Sequence, residues 1–321
     1  MKEKGDSFTL SFSSETKIEI AQRRFGKECC LRAAAYGVAC FARYFDSRGI
    51  VVQTELEEVA AYARRIFKVC GVLGTIVEKP RPNGIMYEFA VKDECEVEKL
   101  HMLFGTTGRE VNLQIDPQLL KCSSCVSAFV GSAFLCSGTI ADPHKGYSFE
   151  ILSPRLNLSK DLEALLAEHE FAPSRTRRKG VYVVYVKASG HVEDLLTFIG
   201  AFTSSMKVMD EKAVRAVRNQ LNRLTNCETN NMKKRIDTNM AYIKAIRYLE
   251  QQDALEALSE PLRQAARLRC EYPDASLAEL AEKFDPPIRK PGLAHRLKKL
   301  ETIAADLQKR TTHTEDGENN D

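Results

Sequence analysis

Beyond Gly190 the chain changes from short apolar runs broken by Gly and Pro to nearly continuous helical periodicity. That switch confines it to a mixed α+β body followed by an all-α one. In the later part Val214, Val217, Leu221 and Leu224 share one helical stripe, and Met240, Ile243, Ile246 and Leu249 another. The boundary is expected between Lys187 and Lys212. The reading is a flexible start at 1–12, an α/β domain at 13–190, a linking region with a helix at 191–212, a helical domain at 213–308 and a disordered acidic tail at 309–321.

Within the first body, Ser13 or Ser14 is placed to cap a helix over Lys17–Arg24, and the Ala-rich stretch Cys29–Phe45 is long enough for a buried helix. Another helix is expected over Glu55–Gly71. Two strands follow around a Pro, Asn and Gly turn, with Ile76 and Val77 before it and Met86, Phe89 and Val91 after it. From Cys122 the order recurs: an apolar helix ending at Gly138, a strand over His144–Ile151, a helix over Leu158–His169 and a strand over Gly180–Lys187. An internal duplication is therefore expected.

The net charge of +3 hides an asymmetry: residues 1–172 carry 21 basic and 23 acidic side chains, residues 173–310 carry 26 and 17. The basic half is the one to search for a polyanionic partner. No apolar run approaches the roughly 18–20 residues that cross a bilayer, and the N-terminus lacks a secretory core, so a soluble, cytoplasmic protein is expected. Ten Cys are too few for a disulfide scaffold, and free thiols are expected.

The sharpest local pattern lies near the C-terminus. Leu262–Tyr272 reads as a helix broken by Pro273 and Asp274. Ser276 stands three residues before Glu279 at the spacing of a capping box. Asp285-Pro286-Pro287 ends that helix, and Pro291 suits the first turn of the next, in which Leu293, Leu297 and Leu300 face inward. Lys290, His295, Arg296, Lys298 and Lys299 are left for the other face. Three short helices ending in a basic one is the arrangement that lays a recognition helix in the DNA major groove. The plainer reading is a small packing module with solvated charges.

Two further basic groups qualify. One is the loop with Arg175, Arg177, Arg178 and Lys179, suited to a phosphate backbone but also common as an idle surface loop. The other is Arg215, Arg218, Asn219, Asn222 and Arg223, where Arg and Asn together are able to reach bases as well as phosphates; the alternative is a polar helix surface. Cys122 and Cys125 form a single CxxC with no second CxxC or suitably spaced CxxH, so a zinc ion would need distant ligands and none is expected. No phosphate-binding glycine loop and no nucleophile elbow is present in the sequence, and no cofactor is expected.

The segments SFSSETKIEI (Ser11–Ile20), CCLRA (Cys29–Ala33), AFLCSGTIADPHKGYSFEI (Ala133–Ile151), VRAVRNQLNRLTNCETNNMKK (Val214–Lys234) and the stretch Glu271–Leu300 resemble, in order, the WhiA family of sporulation and cell-division regulators of Gram-positive bacteria. The resemblance implies a degenerate LAGLIDADG homing-endonuclease fold over 13–190, with two αββαββα-like halves, then a helix-turn-helix DNA-binding domain. In active nucleases the two motif helices end at acids that hold a divalent metal at the scissile phosphate. Here those places fall on Phe41 and Ser137, so the resemblance implies a retained fold without cleavage. The resemblance puts the recognition helix at Arg289–Leu300, and at its start, where relatives usually carry Ser-Lys-Ser-Gly, this chain has Arg289, Lys290, Pro291 and Gly292.

The expectation is a non-enzymatic, nucleoid-associated transcription regulator bound to double-stranded promoter DNA. The rivals are a metal-dependent endonuclease using the displaced carboxylates Asp46 and Asp142, and a regulator whose first domain docks the transcription machinery or another regulator.

Overall fold

The computed structural model describes residues 10–82, 84–110 and 112–315. Two compact units divide at Ala216 and Val217. The expected flexible start lies mostly outside the described residues, and so does the end of the acidic tail, from residue 316 onward.

In the first unit α1 (Phe12–Ala21) begins one turn earlier than expected, because Ser11, not Ser13 or Ser14, accepts the Ser14 N–H at 3.1 Å. Then α2 (Glu28–Phe41), β1 (Tyr44–Asp46), β2 (Gly49–Thr54), α3 (Glu57–Val69), β3 (Thr75–Arg81), β4 (Gly84–Val91) and α4 (Glu94–Phe104) form one αββαββα set. The set repeats as α5 (Ser123–Ser137), β5 (Gly138–Ile140), β6 (Phe149–Ser153), α6 (Leu156–Glu168), β7 (Ser174–Arg178), β8 (Val181–Val186) and α7 (Ser189–Ile199). The two antiparallel sheets have matching orders, β1-β2-β4-β3 and β5-β6-β8-β7, which establishes the duplication.

Three differences from expectation concern short or edge strands. The helix expected to reach Phe45 stops at Phe41, and its last residues turn into β1, which pairs with β2 (Phe45 opposite Ile50). Strand β5 is a similar three-residue piece at the foot of α5, and the basic loop 175–178 is the edge strand β7. Strands this short carry no readable alternation, and a charged edge strand looks like a loop. The segment 144–151 is strand only from Phe149, since Asp142–Gly146 turns back on itself.

The core is organised by α2 lying against α5. Small residues permit it: Ala33, Ala34 and Gly37 on α2 and Ala128 and Ala133 on α5 are buried, and a Cβ on Gly37 would collide with the carbonyl oxygen of Phe129. Tyr62 on α3 reaches the buried Ser132 on α5, with hydroxyl oxygens 2.7 Å apart. Residues 191–212, read as a linking region, contribute Val192, Leu195, Leu196, Ile199 and Val208 to this core.

Helix α8 (Phe202–Gln251) runs without a break through 50 residues. From position 216 to 238 every side chain is exposed, including Val217, Leu221 and Leu224 of the apolar stripe. Its last turns place Tyr242, Ile246 and Leu249 in the second unit's core, against α9 (Glu260–Glu271), α10 (Leu277–Glu282) and α11 (Lys290–Glu315). Helix α11 extends past residue 308, where the tail was expected to lose order.

Candidate nucleic-acid interface

Helices α10 and α11 form the second half of a tri-helical unit whose parts are fixed one by one. Ser276 accepts the Glu279 N–H at 3.3 Å while the Glu279 carboxylate accepts the Ser276 N–H at 2.7 Å, so the capping box at the start of α10 closes as read. These contacts hold the Glu279 carboxyl below its usual range. The Asp285-Pro286-Pro287 turn stops the helix, and the Ile288 N–H donates to the Ala281 carbonyl at 3.0 Å, folding the turn back. Then Arg289 supplies the carbonyl that receives Gly292 and Leu293, and α11 begins.

The turn between α9 and α10 is locked from within by Arg269, a fully buried side chain. Its guanidinium donates to the Asn239 side-chain oxygen at 2.9 Å, to the Ala275 carbonyl at 2.8 Å and to the Tyr272 carbonyl. Asn239 in turn donates to the Pro273 carbonyl at 3.1 Å. Burial lowers the pKa of this arginine, yet a guanidinium remains charged at any physiological pH.

On α11 Leu293, Leu297, Leu300 and Ala304 are buried, and His295, Lys298 and Lys299 are exposed on the opposite side. Arg296 is half-buried, with its guanidinium 4.9 Å from the centre of the Phe284 ring, and Lys298 pairs with Glu301 at 2.9 Å. Lys290 lines a groove of about 420 Å³ with Lys234, Arg235 and Ser276. The place of Lys234 and Arg235 beside the start of α11 depends on a tertiary contact that no local pattern records.

The remaining basic residues separate. Arg218, Asn219, Asn222 and Arg223 are exposed on α8, with Arg218 and Asn222 one turn apart. Arg215 is engaged in the first unit: it donates to the Pro143 and His144 carbonyls at 2.7 Å each, pairs with Glu211 at 3.2 Å and lies 4.9 Å from the Tyr147 ring centre. On β7 Arg177 covers the Tyr182 ring and Arg178 pairs with Glu150 at 3.2 Å, while Arg175 pairs with Glu163 at 2.8 Å.

At the ends of α2 and α5, the two nuclease positions border one small pocket of about 220 Å³. Phe41 and Ser137 share it with Arg43, Gln53, Cys136 and neighbouring apolar residues, and no carboxylate lines it among the described residues. The Ser137 hydroxyl donates to the Ala133 carbonyl at 3.3 Å. Asp46 is paired with Arg48 at 2.7 Å, which lowers its pKa, and Asp142 caps the His144 N–H at 2.9 Å. Neither carboxylate belongs to a grouping of three or more potential metal ligands among the described residues.

The one such grouping is unforeseen: Cys29, Cys30, Cys122 and Cys125 bring their sulfur atoms within 4.8 Å of one another. The sequence signal was a Cys pair at the start of each repeat's first helix, which only the duplication makes equivalent. Cys122 is lowered to about 7 by the Cys125 thiol and N–H beside it, whereas burial raises Cys125 and Cys30.

Comparison with known proteins agrees with this architecture. Residues 126–218 match the family described as the WhiA LAGLIDADG-like domain, and residues 221–304 the WhiA C-terminal HTH domain. Proteins named "Probable cell division protein WhiA" align along the chain: 30% identity over 94% of this chain and 99% of the protein from Ruminiclostridium cellulolyticum, and 33% over 94% and 99% for that from Thermoanaerobacter sp.. The crystal structure of full-length WhiA from Thermatoga maritima superposes with a TM-score of 0.59 at 20% identity, covering 92% of this chain and 99% of that one. With this arrangement of a duplicated LAGLIDADG-like unit and a helix-turn-helix unit, and with identity at that level along nearly all its length, the chain belongs to the WhiA family.

Proposed function

We propose that this protein is a sequence-specific DNA-binding transcription regulator of cell division, sporulation or both, acting in the cytoplasm at the nucleoid and without nuclease activity. The observation that carries the reading is the exposed basic side of α11, His295, Lys298 and Lys299, flanked by Lys290, Lys234 and Arg235 on a locked tri-helical frame. The first part of the helix reads base edges, and the lysines and arginines along it neutralise phosphates. Arg218, Asn219, Asn222 and Arg223 extend the contact along α8, with Arg177 and Arg178 of the first unit as lesser phosphate contacts. Arg215 is engaged within the first unit by the Pro143 and His144 carbonyls. The name "Probable cell division protein WhiA" carried by relatives supports cell division as the process.

Loss of cleavage rests on chemistry: a phenylalanine and a serine do not hold a divalent metal as two carboxylates do. Selection of bound duplexes from a random pool tests the first claim. Enrichment of one motif by the full chain, lost with His295→Ala and Lys299→Ala together, supports it; retention of unselected sequence contradicts it. Supercoiled plasmid incubated with Mg²⁺ or Mn²⁺ tests the second, and nicking that disappears in a D46A/D142A variant would overturn it.

A further inference from the structure

We propose that Cys29, Cys30, Cys122 and Cys125 form a tetrahedral tetrathiolate site for one zinc ion, a clip between the starts of α2 and α5. Cys29 and Cys30 lie in the first turn of α2, Cys122 is the residue preceding α5 and Cys125 lies in its first turn. Thiols separated by some ninety residues therefore meet because the duplicated fold sets the two helices side by side.

The spacing selects a single ion. Zinc–sulfur bonds of about 2.3 Å place the corners of a regular tetrahedron about 3.8 Å apart. The sulfurs of Cys30 and Cys122, of Cys122 and Cys125, and of Cys30 and Cys125 are 3.9, 3.4 and 3.9 Å apart, and all four lie within 4.8 Å. An iron–sulfur cluster interposes several irons and sulfides between its cysteines and needs a wider cage. Four soft sulfur donors with no oxygen or imidazole suit zinc and disfavour magnesium or calcium.

The surroundings suit an anionic complex. Binding converts four thiols to thiolates, releases four protons to solvent and leaves a net charge of −2 around the divalent ion. The four cysteines sit at the starts of α2 and α5, the ends at which a helix dipole favours negative charge. Lys27 and Lys121, each exposed and immediately before its cysteine pair or helix, add positive charge. Cys30 and Cys125 are buried and Cys29 and Cys122 partly so, which closes the site as in structural rather than catalytic zinc centres.

The test uses the full chain purified under reducing conditions without chelator. Metal analysis is expected to find about one zinc per chain, lost in Cys122→Ser/Cys125→Ser and kept in Cys95→Ser/Cys227→Ser, whose cysteines are exposed elsewhere. Because the first variant risks misfolding, the wild-type protein is also exchanged with Co²⁺, and intense thiolate-to-cobalt absorption with tetrahedral d–d bands is expected. Chelation is expected to lower the melting temperature. Fully reduced protein that takes up neither zinc nor cobalt overturns the proposal, as does equal loss of metal from both variants or a Cys122–Cys125 disulfide in the freshly isolated chain.

Discussion

Asn239, in the last third of α8, accepts a hydrogen bond at 2.9 Å from Arg269, the buried guanidinium that also holds the turn between α9 and α10. With the bond that Asn239 donates to the Pro273 carbonyl, this contact ties the long helix to the turn between α9 and α10. Removing the acceptor with Asn239→Ala leaves a charged donor buried and unsatisfied, with an expected loss of about 1.5–3 kcal/mol. Urea unfolding followed by a probe in the second unit checks it, and DNA affinity measured well below the midpoint is expected to change little.

Leu297 is fully buried beneath the exposed side of α11. Leu297→Ala is expected to destabilise the second unit by about 2–5 kcal/mol. The first unit has its own core, so calorimetry is expected to show one transition lowered and the other unmoved.

Lys299 is exposed and has no acidic partner among the contacts described for α11, whereas Lys298 shares its charge with Glu301. Lys299→Ala is expected to weaken binding to all duplexes alike and to reduce the slope of log affinity against log salt by about 1. Titrations at several salt concentrations provide the check.

Glu88 on β4 is buried between Lys79 at 2.6 Å and Gln53 at 2.7 Å, and these donors, with Lys92 beyond, hold its carboxyl down to about 2. The folded value lies below the ordinary carboxylate value of about 4.3. Its stabilisation is therefore complete at neutral pH and declines as pH falls from about 4.3 through 2. The stability gap between wild type and Glu88→Gln is expected to narrow over that window in denaturant titrations.

Much of this was legible in the sequence. The buried motif helices announce themselves through Ala33–Ala35 and Phe129–Leu135, and the capping box of Ser276 and Glu279 marks α10 to the residue. The three-residue strands β1 and β5 were not legible, since Tyr44–Asp46 and Gly138–Ile140 become strands only by pairing with β2 and β6. The meeting of Cys29 and Cys30 with Cys122 and Cys125 was hidden for the same reason: the fold, and not the spacing along the chain, sets those distances.

The central claim, regulation through the terminal helix, is tested most directly by genome-wide occupancy of the tagged protein in its host, compared with a strain carrying His295→Ala and Lys299→Ala. The account predicts focused promoter peaks that vanish in the double variant while protein abundance is unchanged. Peaks that persist in the variant would contradict it and move recognition to another surface.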